Sequence, residues 1–486
     1  MVRTLLGAVA AVLILAAVLV ARTLMVTMPP PAPPVAPINI DGMKIARHLA
    51  EAIRFETITY GGHAHEAEKD AALSAMRDWL AATYPKFHGV ARREVIGQSL
   101  LYTWQGTNPK LKPILLMAHM DVVPVVPGTS RNWVHAPFSG DIAGGYVWGR
   151  GSIDDKGSLI AIMEACERLA ASGFTPERTV MIAAGQDEET GGTNGNVVIA
   201  KMLAGRGVHL DWVLDEGGAI LDDPFPGMQT PAAFVAVAEK GYVSLELVAH
   251  GEGGHSSRPT RDMAVTRLAS SILKVTHHPF PAGIDIIERE QLHVLAPYVP
   301  FVPRILLANL WISSPILKHF MEIQPETSAL LQTTIAPTML NAGVKDNVLP
   351  PTAHAIINFR IHPRDNIDSV VEHVRRAIDD PKVDINVLTE SASEASKVAD
   401  INGPSYKFLA REIQASFGDI PVAPVLAIVA TDSRHYLPIA DNVFRLDPFH
   451  FGPNDLARVH GTNERLAVGD LAPAVGFYMR LVKDAE

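Results

Sequence analysis

Cysteine is almost missing from this chain. Among 486 residues there is one, Cys166, which excludes an internal disulfide and a thiolate-ligated zinc site. It falls in the helical pattern Leu159–Leu169 and reads as a small core residue rather than a catalytic thiol. A basic excess is missing too. Lys and Arg number 42 against 52 Asp and Glu, the formal net charge is −10 and the pI is about 6.0. With no basic stripe anywhere, no nucleic-acid partner is expected. What remains is the composition of a globular protein, 48% apolar and 19% charged. The length exceeds what one compact core supports and points to two domains.

Charge is absent from Thr4–Ala21, a stretch bracketed by Arg3 and Arg22 and long enough to span a bilayer as a helix. Residues 1–28 therefore read as a transmembrane anchor or a signal segment. The apolar pattern resuming through Leu24–Met28 favours a single-pass anchor with the catalytic part outside the cytoplasm; cleavage would give a secreted form. Residues 29–40, with PPPAPPVAP over Pro29–Pro37, read as a stiff proline-rich linker.

From Asp41 onward helices alternate with apolar strands. A helix with Ile45, Leu49 and Ile53 on one side is followed by one at Glu66–Tyr84, then strands at Leu100–Trp104 and Ile114–Ala118. The helix Gly157–Ala171 and the strands Thr179–Ala184 and Trp212–Leu214 come next. This texture predicts an α/β fold with a mostly parallel, covered sheet. After Lys240 it changes. Tyr242–Ala249 and Ala353–Ile361 alternate as half-exposed strands, Asp262–Val275 and Ile367–Ile378 read as helices, and strands are expected at Val383–Leu388 and near Thr338–Val344. That order, β-α-β-β-α-β, predicts a ferredoxin-like α+β unit over 241–393. It is inserted between two parts of a catalytic domain, 41–240 and 394–486. Inside it, 277–334 is apolar and proline-rich, and reads as an interface, a hydrophobic lid or a packed structural insertion.

The chemistry gathers at strand ends. His119 and Asp121 stand two apart where the run Ile114–Ala118 stops, so they project to one side at the C-terminal edge of a sheet. Four further clusters follow strands or fill tight polar loops: Asp154 in GRGSIDDKG, Glu188 and Glu189 in AAGQDEETGG, Asp215 and Glu216 in VLDEGG, and His460 in VHGTNER. Carboxylates and imidazoles without thiolate suit a hydrolytic zinc site, and more than four of them suggest two metals sharing a bridging carboxylate.

The motifs AHMDVVPV, NWVHAPFSG, GRGSIDDKG, DEETGG, GHSSRP, NVLPPTAHAIINFR and HGTNER, in that order, resemble the di-zinc metallopeptidases that include carboxypeptidase S, aminoacylase, glutamate carboxypeptidase and succinyl-diaminopimelate desuccinylase. DEGG, ATDSRH and the N-terminal apolar stretch look most like the carboxypeptidase S branch, which also contains secreted enzymes acting on N-fatty-acyl amino acids.

The resemblance implies two Zn2+ ions bridged by Asp154, with His119 and Glu216 completing one and Glu189 and His460 the other. Asp215 competes with Glu216 for its place. Asp121 would orient His119 by accepting from its imidazole, and Glu188 would be the general base. His255 would steady the oxyanion, either delivered by a partner in a homodimer formed through the inserted lid domain or replaced in that job by the long insertion of the same chain. Asn347 and Arg360 would hold the substrate's free carboxylate; Thr431, Asp432 and Arg434 would line the same pocket without assigned roles. The expected activity is hydrolysis of the amide before a C-terminal amino acid in short peptides. An N-acyl amino acid hydrolase or synthase is the alternative. A non-catalytic binding protein is disfavoured, because no expected ligand is missing.

Overall fold

The computed structural model describes residues 2–30, 38–61, 65–225 and 227–485. Most of the expected proline linker therefore lies outside the described residues.

Ile114–His119 is buried along its whole length and lies between Val180–Gly185 and Leu210–Asp215, parallel to both. Continuous apolar sequence produces this because both faces are covered. The helices Gly42–Ile53, Lys156–Ala171 and Val468–Lys483 share a core with one face of the sheet. Asn196–Gly205 packs on the other face, together with Tyr436 and Ile439. Fully burying a Leu or Ile in such a layer contributes about 1.5–3 kcal/mol, so the central strands anchor the fold. Ala440–Arg445 extends the parallel set beside Leu210–Asp215.

The ten-stranded sheet is mixed, which corrects the expectation of a mostly parallel one. Arg92–Ile96 and Ser99–Trp104 form an antiparallel hairpin that turns at Gly97, φ 60°, and the second strand runs antiparallel to Val180–Gly185. Ala232–Glu239 is antiparallel to Ala219–Leu221 and to the end of Ala440–Arg445. A strand buried on both faces is apolar whichever way its neighbour runs, so composition alone did not reveal direction.

A second, four-stranded antiparallel sheet has the spatial order Thr334–Ala342, Thr352–Ile361, Gly241–His250, Val383–Ser393. With the helices Ala264–Thr276 and Ile367–Ile378 it encloses its own core. The chain order is the expected β-α-β-β-α-β. Alternation in Thr352–Ile361 turns Ala355, Ile357 and Phe359 inward and leaves Asn358 and Arg360 on the opposite face. Asn366 starts the helix Ile367–Ile378 by accepting from the Ser369 N–H at 2.8 Å.

The 277–334 segment is helical: Ile286–Leu295, Phe301–Ala308, Leu310–Ile323 and Pro325–Leu331. Leu295 packs against Phe234 and Ala423 beside the large sheet. Lys240, at the junction of the two sheets, donates from Nζ to the carbonyls of Ala329 and Gln332 at 2.8 and 2.7 Å. The N-terminal helix Val2–Leu24 is long and apolar enough to cross a membrane by length and composition.

Candidate metal centre

Three parallel strands deliver their first polar residues to one edge of the large sheet. His119 ends its strand, Glu188 and Glu189 form a short turn after Val180–Gly185, and Glu216 follows Leu210–Asp215. Asp154 enters on the loop after Tyr146–Trp148, and His460 on the loop before Arg465–Ala467.

These side chains meet on Asp154. His119 Nε2 lies 2.8 Å from its Oδ1, and His460 Nε2 lies 2.9 Å from its Oδ2. Glu216 Oε1 is 3.4 Å from His119 Nε2, and Glu189 Oε2 is 3.1 Å from His460 Nε2. Two groups of potential ligand atoms result, His119–Asp154–Glu216 and Asp154–Glu189–His460, sharing Asp154. Asp215 faces away and accepts from the Ser433 N–H at 2.8 Å, so the geometry favours Glu216 over its neighbour. A third group, Asp155–Glu216–Asp447, adjoins the first. Both Asp155 carboxylate oxygens are buried without a hydrogen-bond partner among the described residues.

Asp121 does two jobs. His119 Nδ1 lies 2.9 Å from the Asp121 carbonyl and 3.4 Å from its carboxylate. The same carboxylate accepts the backbone N–H groups of Glu188 and Glu189 at 3.1 and 3.3 Å. One buried acid thus orients the imidazole and fixes the turn bearing both glutamates.

Arg150 and Glu464, which sequence reasoning did not single out, hold the two remaining loops. Glu464 accepts from the N–H groups of Gly151, Ile153 and Asp154 at 3.0, 2.9 and 3.3 Å. Its partner Arg150, 2.7 Å away, donates to the carbonyls of His460 and Gly461 at 3.1 and 3.0 Å. This clamp holds His460 at φ 59°, a left-handed conformation that costs a non-glycine residue free energy. Gly151, φ 82°, has no room for a side chain, because a Cβ would lie 2.6 Å from Val122. Asp154 and Asp155 are joined by a cis peptide bond. A second buried pair, Arg445 Nε to Glu239 at 2.6 Å, also binds the Thr431 hydroxyl through Glu239 at 2.6 Å and so fixes the ATDSRH segment.

The electrostatics are those of a site rich in acid and poor in cation. Burial pushes the Glu188 and Glu216 carboxyls well above their ordinary range, against the opposing pull of His119. Burial, with Asp154 and Asp215 nearby, lifts Asp447 to about 8; it also lifts Asp432 to about 7 despite the Asn196 hydrogen bond. Asp154 is held low although burial works against it, because both imidazoles donate to it. The hydrogen bond to Asp154, then that to Glu189, raises His460 to about 10. Crowded buried carboxylates with two imidazoles and unpartnered oxygens suit divalent cations, which would neutralise the acids and occupy those oxygens.

The other expected residues lie on or beside the small sheet. Arg360 is half-buried, with its guanidinium 4.8 Å from the centre of the Tyr242 ring. Burial lowers its pKa and the Arg434 charge contributes; Arg434 itself reaches the Gly191 carbonyl beside the Glu188–Glu189 turn at 3.4 Å. His255 and Asn347 are exposed. His255 turns back on its own loop and accepts from the Ser257 N–H at 3.1 Å, and the Asn347 carbonyl accepts from the Ser256 N–H at 3.2 Å. Among the described residues, neither side chain forms a hydrogen bond to the Asp154 cluster. Cys166 is buried, which pushes its thiol pKa up, as expected of a core residue.

An α/β sheet whose edge collects imidazoles and carboxylates around one aspartate defines a hydrolytic metalloenzyme. The family model for peptidase family M20/M25/M40 matches residues 115–484, and the chain belongs to that family, whose members bind divalent metal. It is similar to the probable carboxypeptidase S-like 2 of Dictyostelium discoideum, with 37% identity over 458 residues, 92% of this chain and 86% of the relative. It is also similar to the mouse N-fatty-acyl-amino acid synthase/hydrolase PM20D1, with 35% identity over 449 residues, 91% of this chain and 88% of the relative. Among solved structures, the metallo-carboxypeptidase Sso-CP2 of Sulfolobus solfataricus shares the fold with a TM-score of 0.65 at 18% identity, covering 91% of this chain and 99% of that one. Human carnosine dipeptidase 1 does so with a TM-score of 0.60 at 14% identity, covering 90% and 95%.

Proposed function

We propose that this hydrolase cleaves the amide bond preceding a C-terminal amino acid that carries a free carboxylate. Its cofactor is a pair of zinc ions, one held by His119 and Glu216, the other by Glu189 and His460, with Asp154 between them. The observation that carries the reading is the approach of two imidazoles to opposite oxygens of Asp154, at 2.8 and 2.9 Å. Bound there, zinc supplies Lewis acidity toward a carbonyl oxygen and makes water a better nucleophile at neutral pH.

Glu188 is the general base. It shares a turn with the ligand Glu189, and Asp121 fixes the backbone of both, which supports a role in taking a proton from the attacking water and passing it to the leaving nitrogen. Arg360 and Asn347 hold the substrate carboxylate, the guanidinium through two parallel hydrogen bonds. His255 steadies the developing oxyanion and is delivered by a second copy through residues 241–393, which act as lid and dimerisation domain. Residues 41–240 and 394–486 form the catalytic domain. The Val2–Leu24 helix anchors the enzyme in a bilayer with that domain outside the cytoplasm.

Short peptides and N-acyl amino acids both offer the required amide and carboxylate. The relatives named as N-fatty-acyl-amino acid enzymes and the exposed apolar surface of 277–334 favour a greasy acyl group as the second reading. Turnover of a glycyl dipeptide compared with an N-oleoyl amino acid tests both. Exclusive dipeptide cleavage removes the acyl reading, and a zinc-loaded protein that hydrolyses neither sinks the function.

A further inference from the structure

The helix Leu310–Ile323 is amphipathic in the wrong sense for a protein surface in water. Ile312, Ile316, Phe320 and Ile323 fall on one helical stripe, and all are exposed, Phe320 by 61%; Trp311, 57% exposed, stands off it in the first turn, on the face that carries Lys318 and Glu322. His319 is the polar member of that stripe. Ser313 instead is buried, donating its hydroxyl to the carbonyls of Leu306 and Asn309 at 2.5 and 2.9 Å. Lys318 and Glu322 lie on the flank, 3.7 Å apart. The preceding helix, Phe301–Ala308, adds Phe301 and Val302, the latter 73% exposed. A contiguous apolar face of this kind calls for an apolar partner.

The N-terminal helix identifies that partner. Its span Arg3–Leu24 has a mean hydropathy of 2.8, and the rest of the chain leaves it uncovered except near Leu19 and Thr23. At 1.5 Å per residue it is about 33 Å long, the thickness of a bilayer's hydrocarbon layer. Its last turns are fastened to the corner between the two insertion helices. The Asn309 side-chain amide donates to the Leu19 carbonyl at 3.2 Å and to the Thr23 hydroxyl at 3.3 Å, and Thr23 donates to Leu19 at 2.7 Å. Asn309 and Thr23 are both buried, so the Asn309 amide N–H and the Thr23 hydroxyl find partners inside an otherwise apolar contact. Leu19–Thr23 is the end of the span, where a transmembrane helix leaves the hydrocarbon.

We infer that the helix corner 301–323 is a second membrane element, lying in the bilayer interface beside the exit of the N-terminal helix with the Ile312–Ile316–Phe320–Ile323 stripe toward the acyl chains. This rests on the reading of Val2–Leu24 as a bilayer helix. The occupant is lipid rather than a second copy, because the helix bearing the stripe starts at Asn309, which is fastened to the end of a helix already suited to hydrocarbon.

Tryptophan provides a test that separates the two readings, since the N-terminal helix contains none. Trp104, Trp133, Trp148 and Trp212 are buried, and Trp79 is half-buried on the helix Glu66–Thr83. A Trp311→Phe chain, with and without Ile316→Trp on the stripe, is reconstituted in phosphatidylcholine vesicles with plain or brominated acyl chains, and alkaline carbonate extraction separately scores the N-terminal helix. Bromine quenching present with Ile316→Trp and absent without it is expected, as is its loss when Phe320→Asp is added. A chain that resists carbonate yet shows no quenching with Ile316→Trp overturns the inference and spares the anchor. Quenching in a chain that carbonate releases supports the inference while the anchor reading fails. Absence of quenching together with a dimer in detergent that Phe320→Asp dissociates assigns the stripe to a second copy and overturns the proposal.

Discussion

The edge of the large sheet and the outer surface of the small one hold their functional side chains in opposite ways. Around Asp154 the groups are mostly buried and cross-braced by carboxylates, whereas His255 and Asn347 stand in solvent on a loop pair. Binding a cation demands ligands held against mutual repulsion before it arrives, and that requires a rigid scaffold. Holding a substrate's carboxylate and oxyanion is useful only once substrate is present, so those groups can be brought in by movement or by a partner. On the proposed roles, one region is organised in advance and the other on demand.

Four substitutions test this contrast, in descending order of effect. Asp154→Ala removes the shared ligand and should abolish both metal content and turnover; a variant that retains metal by elemental analysis would break the account of the organised region. Glu188→Ala should keep its metal but lose about 10²–10⁴-fold in kcat. Near-normal turnover there removes it as base. Arg360→Lys should raise KM about 10–100-fold with a smaller change in kcat, because a point charge replaces a fork worth about 1.5–3 kcal/mol against a carboxylate. Steady-state kinetics at saturating substrate separate the two constants. Cys166→Ala should lower stability by about 1 kcal/mol with kcat/KM unchanged, and loss of activity at full stability would mean that the thiol does more than fill space.

Glu464→Gln sharpens the comparison from the other side. Breaking a buried pair costs about 3–5 kcal/mol, and this one also fixes the loops carrying Asp154 and His460. Weakened metal affinity is therefore expected along with a lower Tm, measurable by competition with a chelator. The corresponding change on the small sheet, Asn347→Ala, should leave both unaltered.

The cluster was legible because ligands must sit where strands end. An apolar run that stops at His119, or at Asp215 and Glu216, announces its position on the edge. Arg150 and Glu464 were hidden in plain view, inside GRGSIDDKG and HGTNER, because a carboxylate that accepts backbone N–H groups looks in sequence like any other loop acid. Glu239 and Arg445 left even less trace, since each ends or interrupts an apolar strand and meets a partner 206 residues away. The β-α-β-β-α-β unit was readable from alternation, which records burial on one face only. Strand direction in the large sheet was not, because double-sided burial erases that signature. The insertion resisted for a different reason: its apolar residues divide between a small core, with Leu292, Val299, Leu307 and Leu331 buried, and an exposed set that includes Ile312, Ile316 and Phe320, and hydrophobicity alone does not separate the two.

Asp121 makes the centre behave as a single lever. Its peptide carbonyl lies against one imidazole, and its side chain grips the backbone of the turn that carries both the proposed base, Glu188, and the proposed ligand of the opposite site, Glu189. A displacement on either side of Asp154 is therefore felt on the other, and the two halves should fill together rather than one after the other.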